Sequence, residues 1–81
     1  MTDAQILDLI RQALVNVVPD RAADWEQLDL DRTIEQLELD SISTMEMVGE
    51  LEEATDTTFP DEALPKVNSL RDLANLVKNA T

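Results

Sequence analysis

The residues best suited to chemistry lie together in the run Leu37-Glu38-Leu39-Asp40-Ser41-Ile42-Ser43-Thr44-Met45-Glu46-Met47-Val48. Asp40 is a strong N-cap, because its carboxylate can accept a hydrogen bond from a free backbone N–H in the first turn of a helix. A helix is therefore expected to begin at Ser41. Its hydroxyl then stands at the positive end of that helix, where unpaired N–H groups and aligned peptide dipoles favour an attached or approaching anion. An Asp-Ser pair alone is also an ordinary helix start, so the surroundings have to carry the rest.

Those surroundings follow from a rotation of about 100° per residue along the helix. Thr44, Met47, Val48, Leu51 and Thr55 share one arc, a mostly apolar stripe suited to a core. Ser41 sits at its edge. Met45, Gly49, Ile42, Glu52, Glu53 and Glu46 fall on the side expected to face water. Two exposed apolar side chains beside an outward serine, fenced by glutamates, have the character of a docking surface. Isolated apolar residues on a surface are also common and need no function.

Composition limits what such a site can be. The 81 residues contain no cysteine and no histidine, which removes disulfides, thiolate metal ligands and the usual general base. The chain is not expected to be an enzyme. No apolar run approaches membrane-spanning length and the Thr2-Asp3 start lacks the basic region of a signal peptide, so a cytoplasmic location is expected. Eighteen Asp and Glu against six Lys and Arg give a net charge of −12. That charge should repel nucleic acid and anionic membrane and attract basic proteins. Between Thr33 and Pro65 there are ten acidic residues and no Lys or Arg. Such a field either keeps a small protein soluble or steers a partner toward Ser41.

The elements that must position Ser41 can be read in order. Thr2-Asp3-Ala4-Gln5 fits a capping box, with Thr2 as N-cap and Gln5 reaching back. Ile6, Leu9, Ile10, Ala13, Leu14 and Val17 then make a broad apolar face, leaving Asp8, Arg11, Gln12 and Asn16 to water. Pro19 should close this helix near Val17. The long connection from Pro19 to Asp40 holds Trp25, Leu28, Leu30, Ile34, Leu37 and Leu39, enough apolar groups to lie down on the helices. Trp25 reads as a plug over the core, and Thr33 as the cap of a short helical turn. Within the connection Asp29, Asp31, Thr33 and Asp40 match positions 1, 3, 5 and 12 of a calcium loop, but Ile34 replaces the required glycine and Asp40 is shorter than the expected Glu.

Beyond the Ser41 helix, Pro60 and Pro65 leave room between them for little more than one helical turn, with Phe59 as its anchor. Ser69-Leu70-Arg71-Asp72 resembles a capping box with Asp in place of Glu, and Leu70, Leu73, Ala74 and Val77 form a last apolar stripe. The tail Lys78-Asn79-Ala80-Thr81 places a cation where the helix dipole favours one. Gly49 is the only glycine, so tight hairpin turns are scarce. The expected fold is all-α: a small four-helix bundle with three longer helices and a short third helix, one domain spanning residues 1–81.

Four segments in order resemble the acyl carrier proteins. They are Asp40-Ser41-Ile42 after Leu37-Glu38-Leu39; Glu46-Met47-Val48 with Leu51-Glu52-Glu53; Phe59-Pro60-Asp61-Glu62-Ala63; and Val67-Asn68-Ser69-Leu70-Arg71-Asp72-Leu73. The likeness covers nearly the whole chain. It implies that Ser41 is esterified by 4′-phosphopantetheine from coenzyme A, whose thiol carries acyl groups as thioesters; with no cysteine, the chain offers that thiol no internal competitor. It implies that Asp40 contacts the modifying phosphopantetheinyl transferase or its magnesium as well as capping the helix. It further implies that Ile42, Met45, Glu46, Gly49, Glu52 and Glu53 meet basic docking patches on that transferase and on acyl-loading, ketosynthase or acyltransferase enzymes. The chain would act as a monomer, with Met47, Val48 and Leu51 lining a core in which some carriers shelter the acyl chain.

Many family members have glycine at the position of Glu38, an acidic residue at Ser43, a larger apolar residue at Gly49 and an aromatic residue at Thr55. These departures lean away from housekeeping fatty acid biosynthesis and toward polyketide or mixed polyketide and peptide biosynthesis. Two other readings of the residues stay open at this point: an unmodified acidic helical adaptor for a basic partner protein, and a calcium-responsive helical protein.

Overall fold

The computed structural model describes residues 1–80; Thr81, the last residue of the expected domain, lies outside them. Helix α1 runs Asp3–Val17, α2 Ser41–Thr55 and α3 Leu70–Ala80, with 3-10 segments at Pro19–Trp25, Glu35–Leu37 and Leu64–Lys66. The all-α class is as the sequence implies, and no strand forms among the described residues.

Helix α1 begins as its capping box dictates. The Thr2 hydroxyl accepts the Gln5 N–H at 3.2 Å while Gln5 Oε1 accepts the Thr2 N–H at 2.8 Å, so two otherwise orphaned donors are satisfied reciprocally. Ile6, Ile10, Ala13 and Leu14 are buried on its inner face. They meet Met47, Val48 and Leu51 of α2, Leu70, Leu73, Ala74 and Val77 of α3, and the two aromatic side chains, Trp25 and Phe59, in one core. Trp25 is the expected plug, buried with its indole N–H toward the Val18 carbonyl at 3.4 Å. Arg11, expected in water, is instead half-buried and donates from Nε to the Trp25 carbonyl at 2.9 Å.

The connection from α1 to α2 is packed, and its docking onto α3 has no counterpart in the sequence pattern. The Leu70 N–H donates to the Arg32 carbonyl at 2.9 Å, the Arg71 N–H to Leu30 at 2.8 Å, and the Ile34 N–H to Asn68 at 2.8 Å. The opening N–H groups of a helix have no partner within it. Here a loop supplies the carbonyls, helped by the Asp72 carboxylate, which accepts the N–H groups of Asn68 and Ser69. An isolated antiparallel bridge between Thr33 and Ser69 marks the same seam. Thr33 caps the turn that follows, its hydroxyl accepting the Gln36 N–H at 3.1 Å.

The short third helix is displaced from its expected place. Asp61–Ala63 form a turn, and the single 3-10 turn Leu64–Lys66 contains Pro65 rather than ending before it. Proline fits because the first positions of a helical turn need no N–H donor.

Candidate functional site around Ser41

Asp40 is the N-cap of α2. Its backbone is extended, and its Oδ1 accepts the Ser43 N–H at 2.6 Å. The Thr44 hydroxyl donates back to the Asp40 carbonyl at 2.9 Å, which fixes the first turn from its other side. The Ser43 N–H, then the Ser43 hydroxyl, hold the Asp40 carboxyl below its ordinary value of 3.8.

Ser41 is the first helical residue and is exposed, and its hydroxyl makes no hydrogen bond to the described residues. The other two serines are placed differently. Ser43 is half-buried and serves Asp40; Ser69 is half-buried and its Oγ accepts the Asp72 N–H at 3.3 Å. Ser41 is thus the only serine that is both exposed and uncommitted.

Ile42 and Met45 flank it as the most exposed large apolar side chains of the described residues, at 72% and 62%. Glu46, Gly49 and Glu53 are exposed on the same side. Glu52 differs: it is half-buried and its Oε2 accepts the Phe59 N–H at 2.8 Å. By helical rotation Glu52 lies about 40° from Val48, close enough to the core side to hold the segment after α2 in place. Of the six surface residues expected to face a partner, it alone makes a side-chain hydrogen bond to the described residues.

The core expected to shelter an acyl chain opens into an apolar cavity beside this surface, with Met47 and Val48, though not Leu51, among its lining residues. It measures about 450 Å³ and is lined by Ile34, Met45, Val48, Leu64, Val67 and Leu73 among others. That volume lies within the range of small-ligand pockets. Met45 forms part of its wall while remaining exposed, so this residue borders both the docking side and the cavity. What the sequence did not reveal is the opposite wall, where Leu64 and Val67 are half-buried apolar residues belonging to no helical stripe.

The carboxylates of the calcium-loop pattern are engaged elsewhere. Asp29 accepts the Asp31 N–H, Asp31 pairs with Arg71 at 3.0 Å and Asp40 caps α2. No group of three or more acidic side chains is arranged to hold a metal ion among the described residues.

Two expected outcomes follow from this geometry. A Cβ built on Gly49 meets nothing within 4 Å, so Gly49→Ala should raise stability by up to about 1 kcal/mol in a denaturant titration; a loss would show that the helix needs glycine there. The second concerns acid. Asp3, Asp40 and Asp72 all have carboxyls held below 3.8, by Lys78, by Ser43 and by the Asn68 N–H respectively. A depressed folded value adds stability above the unfolded value and loses it as pH falls through the folded one. Asparagine also caps well but cannot ionise. The gap in melting temperature between wild type and Asp40→Asn should therefore close as pH drops below 3.8; a gap constant down to full protonation would show that the charge contributes nothing.

Comparison with known proteins covers most of the chain. The family model described as "Phosphopantetheine attachment site" matches residues 4–77. An acyl carrier protein of Kocuria rhizophila is 33% identical over 75 residues, covering 90% of this chain and 93% of that one. One from Rickettsia bellii is 32% identical over 74 residues, covering 89% and 86%. One from Clostridium acetobutylicum is 38% identical over 64 residues, covering 69% and 83%. No solved structure gives a significant match.

Proposed function

The chain belongs to the acyl carrier protein family built on a phosphopantetheine attachment site, and from that premise we propose that Ser41 is the residue esterified. As a family member it is a carrier and not an enzyme, and its prosthetic group is covalent phosphopantetheine. When bound, that group supplies a flexible thiol on which acyl groups travel as thioesters. The single observation that carries the proposal is the free, exposed Ser41 hydroxyl at the first position of a 15-residue helix. The phosphodiester would lie where backbone N–H groups and the helix dipole favour negative charge.

The neighbouring residues each have a part. Asp40 fixes the helix start, its carboxylate committed to the Ser43 N–H. Ile42 and Met45 are apolar anchors for the partner, and Glu46 and Glu53 steer its basic patch. Gly49 leaves that face low between them. Met45 lies one helical turn beyond Ser41, where side chains four apart are neighbours. A chain tethered at Ser41 thus starts beside the wall of the apolar cavity, which we assign as the shelter for an acyl group. The departures at Glu38, Ser43, Gly49 and Thr55 support a place in polyketide or mixed polyketide and peptide metabolism.

The test is incubation with coenzyme A and a phosphopantetheinyl transferase, followed by intact mass. A gain of one phosphopantetheinyl group is expected. No gain, with a transferase that modifies another carrier in the same tube, overturns the proposal.

A further inference from the structure

The turn that delivers Asp40 and Ser41 is backbone-strained and is held from a distance. Glu38 has φ 54° and ψ 43°, a left-handed conformation that a Cβ disfavours. Its N–H donates to the Glu35 carbonyl at 3.1 Å, closing the 3-10 turn Glu35–Leu37. Only Leu39 separates this residue from the Asp40 cap. The direction in which the chain leaves Glu38 therefore sets where α2 begins.

The Glu38 carbonyl accepts a hydrogen bond from Arg21 Nη1 at 3.2 Å, across 17 residues of sequence. The same guanidinium donates from Nε to the Asp24 carboxylate at 3.0 Å, and its central carbon lies 4.5 Å from the centre of the Trp25 ring. Trp25 is 1% exposed, and its own carbonyl accepts Arg11 Nε. The guanidinium is thus seated on a buried ring and oriented by a carboxylate before it reaches Glu38. Arg21 itself departs from helical geometry, with φ −111° and ψ 23°, at the kink in the Pro19–Trp25 segment. The fork geometry of arginine suits this double task, and a lysine ammonium lacks it.

We infer that Arg21 is a positioning residue for Ser41, its hydrogen bond to the Glu38 carbonyl holding the left-handed turn that aims the Asp40-capped helix start at the transferase. The inference rests on Ser41 being the attachment residue. Without the brace, the turn relaxes into conformers in which Ser41 is misplaced, and the apparent affinity of the transferase falls with the competent fraction.

The experiment compares Arg21→Met, which keeps a stem over Trp25 and removes the donors, in the wild-type and Glu38→Gly backgrounds. Glycine adopts the left-handed conformation without strain, so the brace should matter less there. In the wild-type background Arg21→Met should raise the transferase KM by up to about fivefold with kcat kept, the full effect of one ordinary hydrogen bond. In the Glu38→Gly background the rise should shrink to less than about twofold, since residues sharing one network are not additive. Partial unfolding of the carrier would raise KM in the same way, so the folded fraction of each variant is read by circular dichroism at the assay temperature and KM is expressed per folded molecule. An unchanged KM, or an equal rise in both backgrounds, overturns the inference. Failure of the attachment reading is recognised separately, as mass gain by Ser41→Ala. In that case hydrogen exchange at the Ser43 N–H, the group held by Asp40, judges the brace alone: faster exchange in Arg21→Met supports it and unchanged exchange overturns it.

Discussion

Ser41→Ala is expected to fold like the wild type and to gain no phosphopantetheinyl group, a complete loss read directly by intact mass. The hydroxyl has no hydrogen-bond partner among the described residues, and the residue is exposed. Its removal should therefore change stability by no more than about 0.5 kcal/mol. The two other serines provide the contrast. Ser69→Ala removes an oxygen that accepts the Asp72 N–H and should cost about 1 kcal/mol as a lost cap, yet leave modification intact. Ser43→Ala weakens the support of Asp40 without removing the acceptor of the phosphoryl group, so it should be modified as well. Modification of Ser41→Ala to the wild-type extent would move the attachment site elsewhere in the chain.

The second large effect is Leu51→Ala, for which we expect a loss of about 2 to 5 kcal/mol, the cost of lost burial plus a cavity. Leu51 is 0% exposed and packs within the core shared by all three helices. Small proteins have only about 5 to 15 kcal/mol to lose, so this variant is expected to be largely unfolded at moderate temperature. Met45, on the same helix but 62% exposed, should behave in the opposite way. Met45→Ala should cost well under about 1 kcal/mol and still slow modification, because a partner anchor and part of the cavity wall go together. Denaturant titration beside a modification rate per folded molecule separates the two. If Met45→Ala unfolds the protein and leaves that rate unchanged, the partner surface has been placed on the wrong side of α2. Between the glutamates, Glu53→Lys reports steering and its effect should fade as salt rises. Glu52→Lys also breaks the bond to the Phe59 N–H and should lose stability at any salt.

Local physics made the helices and the position of Ser41 readable from the residues alone. Thr2 with Gln5, Asp40 with Ser43, and Ser69 with Asp72 are pairs three residues apart, and each forms the expected cap. The apolar stripes are equally local, and Met47, Val48, Leu51, Leu73 and Val77 are buried where a rotation of about 100° per residue puts them. Exposure of Ile42 and Met45 follows from the same rotation. Family membership was legible because the four segments carrying it lie on these elements and on the turns between them.

Tertiary structure decided what depends on residues far apart in the chain. Loop carbonyls of Leu30 and Arg32 satisfy the first N–H groups of α3, and no periodicity signals that, since any residue offers a carbonyl. Glu52 reads as a surface charge by its type, but lies at the margin between two arcs, where the position of Phe59 decides its role. The 3-10 turn at Leu64–Lys66 takes Pro65 at its start, and its place is set by Leu64 and Val67 packing against the core. Glu38 takes a conformation that its side chain opposes, and Arg21 and Trp25, in a separate segment, hold it there. The sequence by itself determined which serine stands at a capped helix start; the packed loop determined the direction in which that helix start points, because a left-handed turn at a residue with a Cβ persists only when its surroundings hold it.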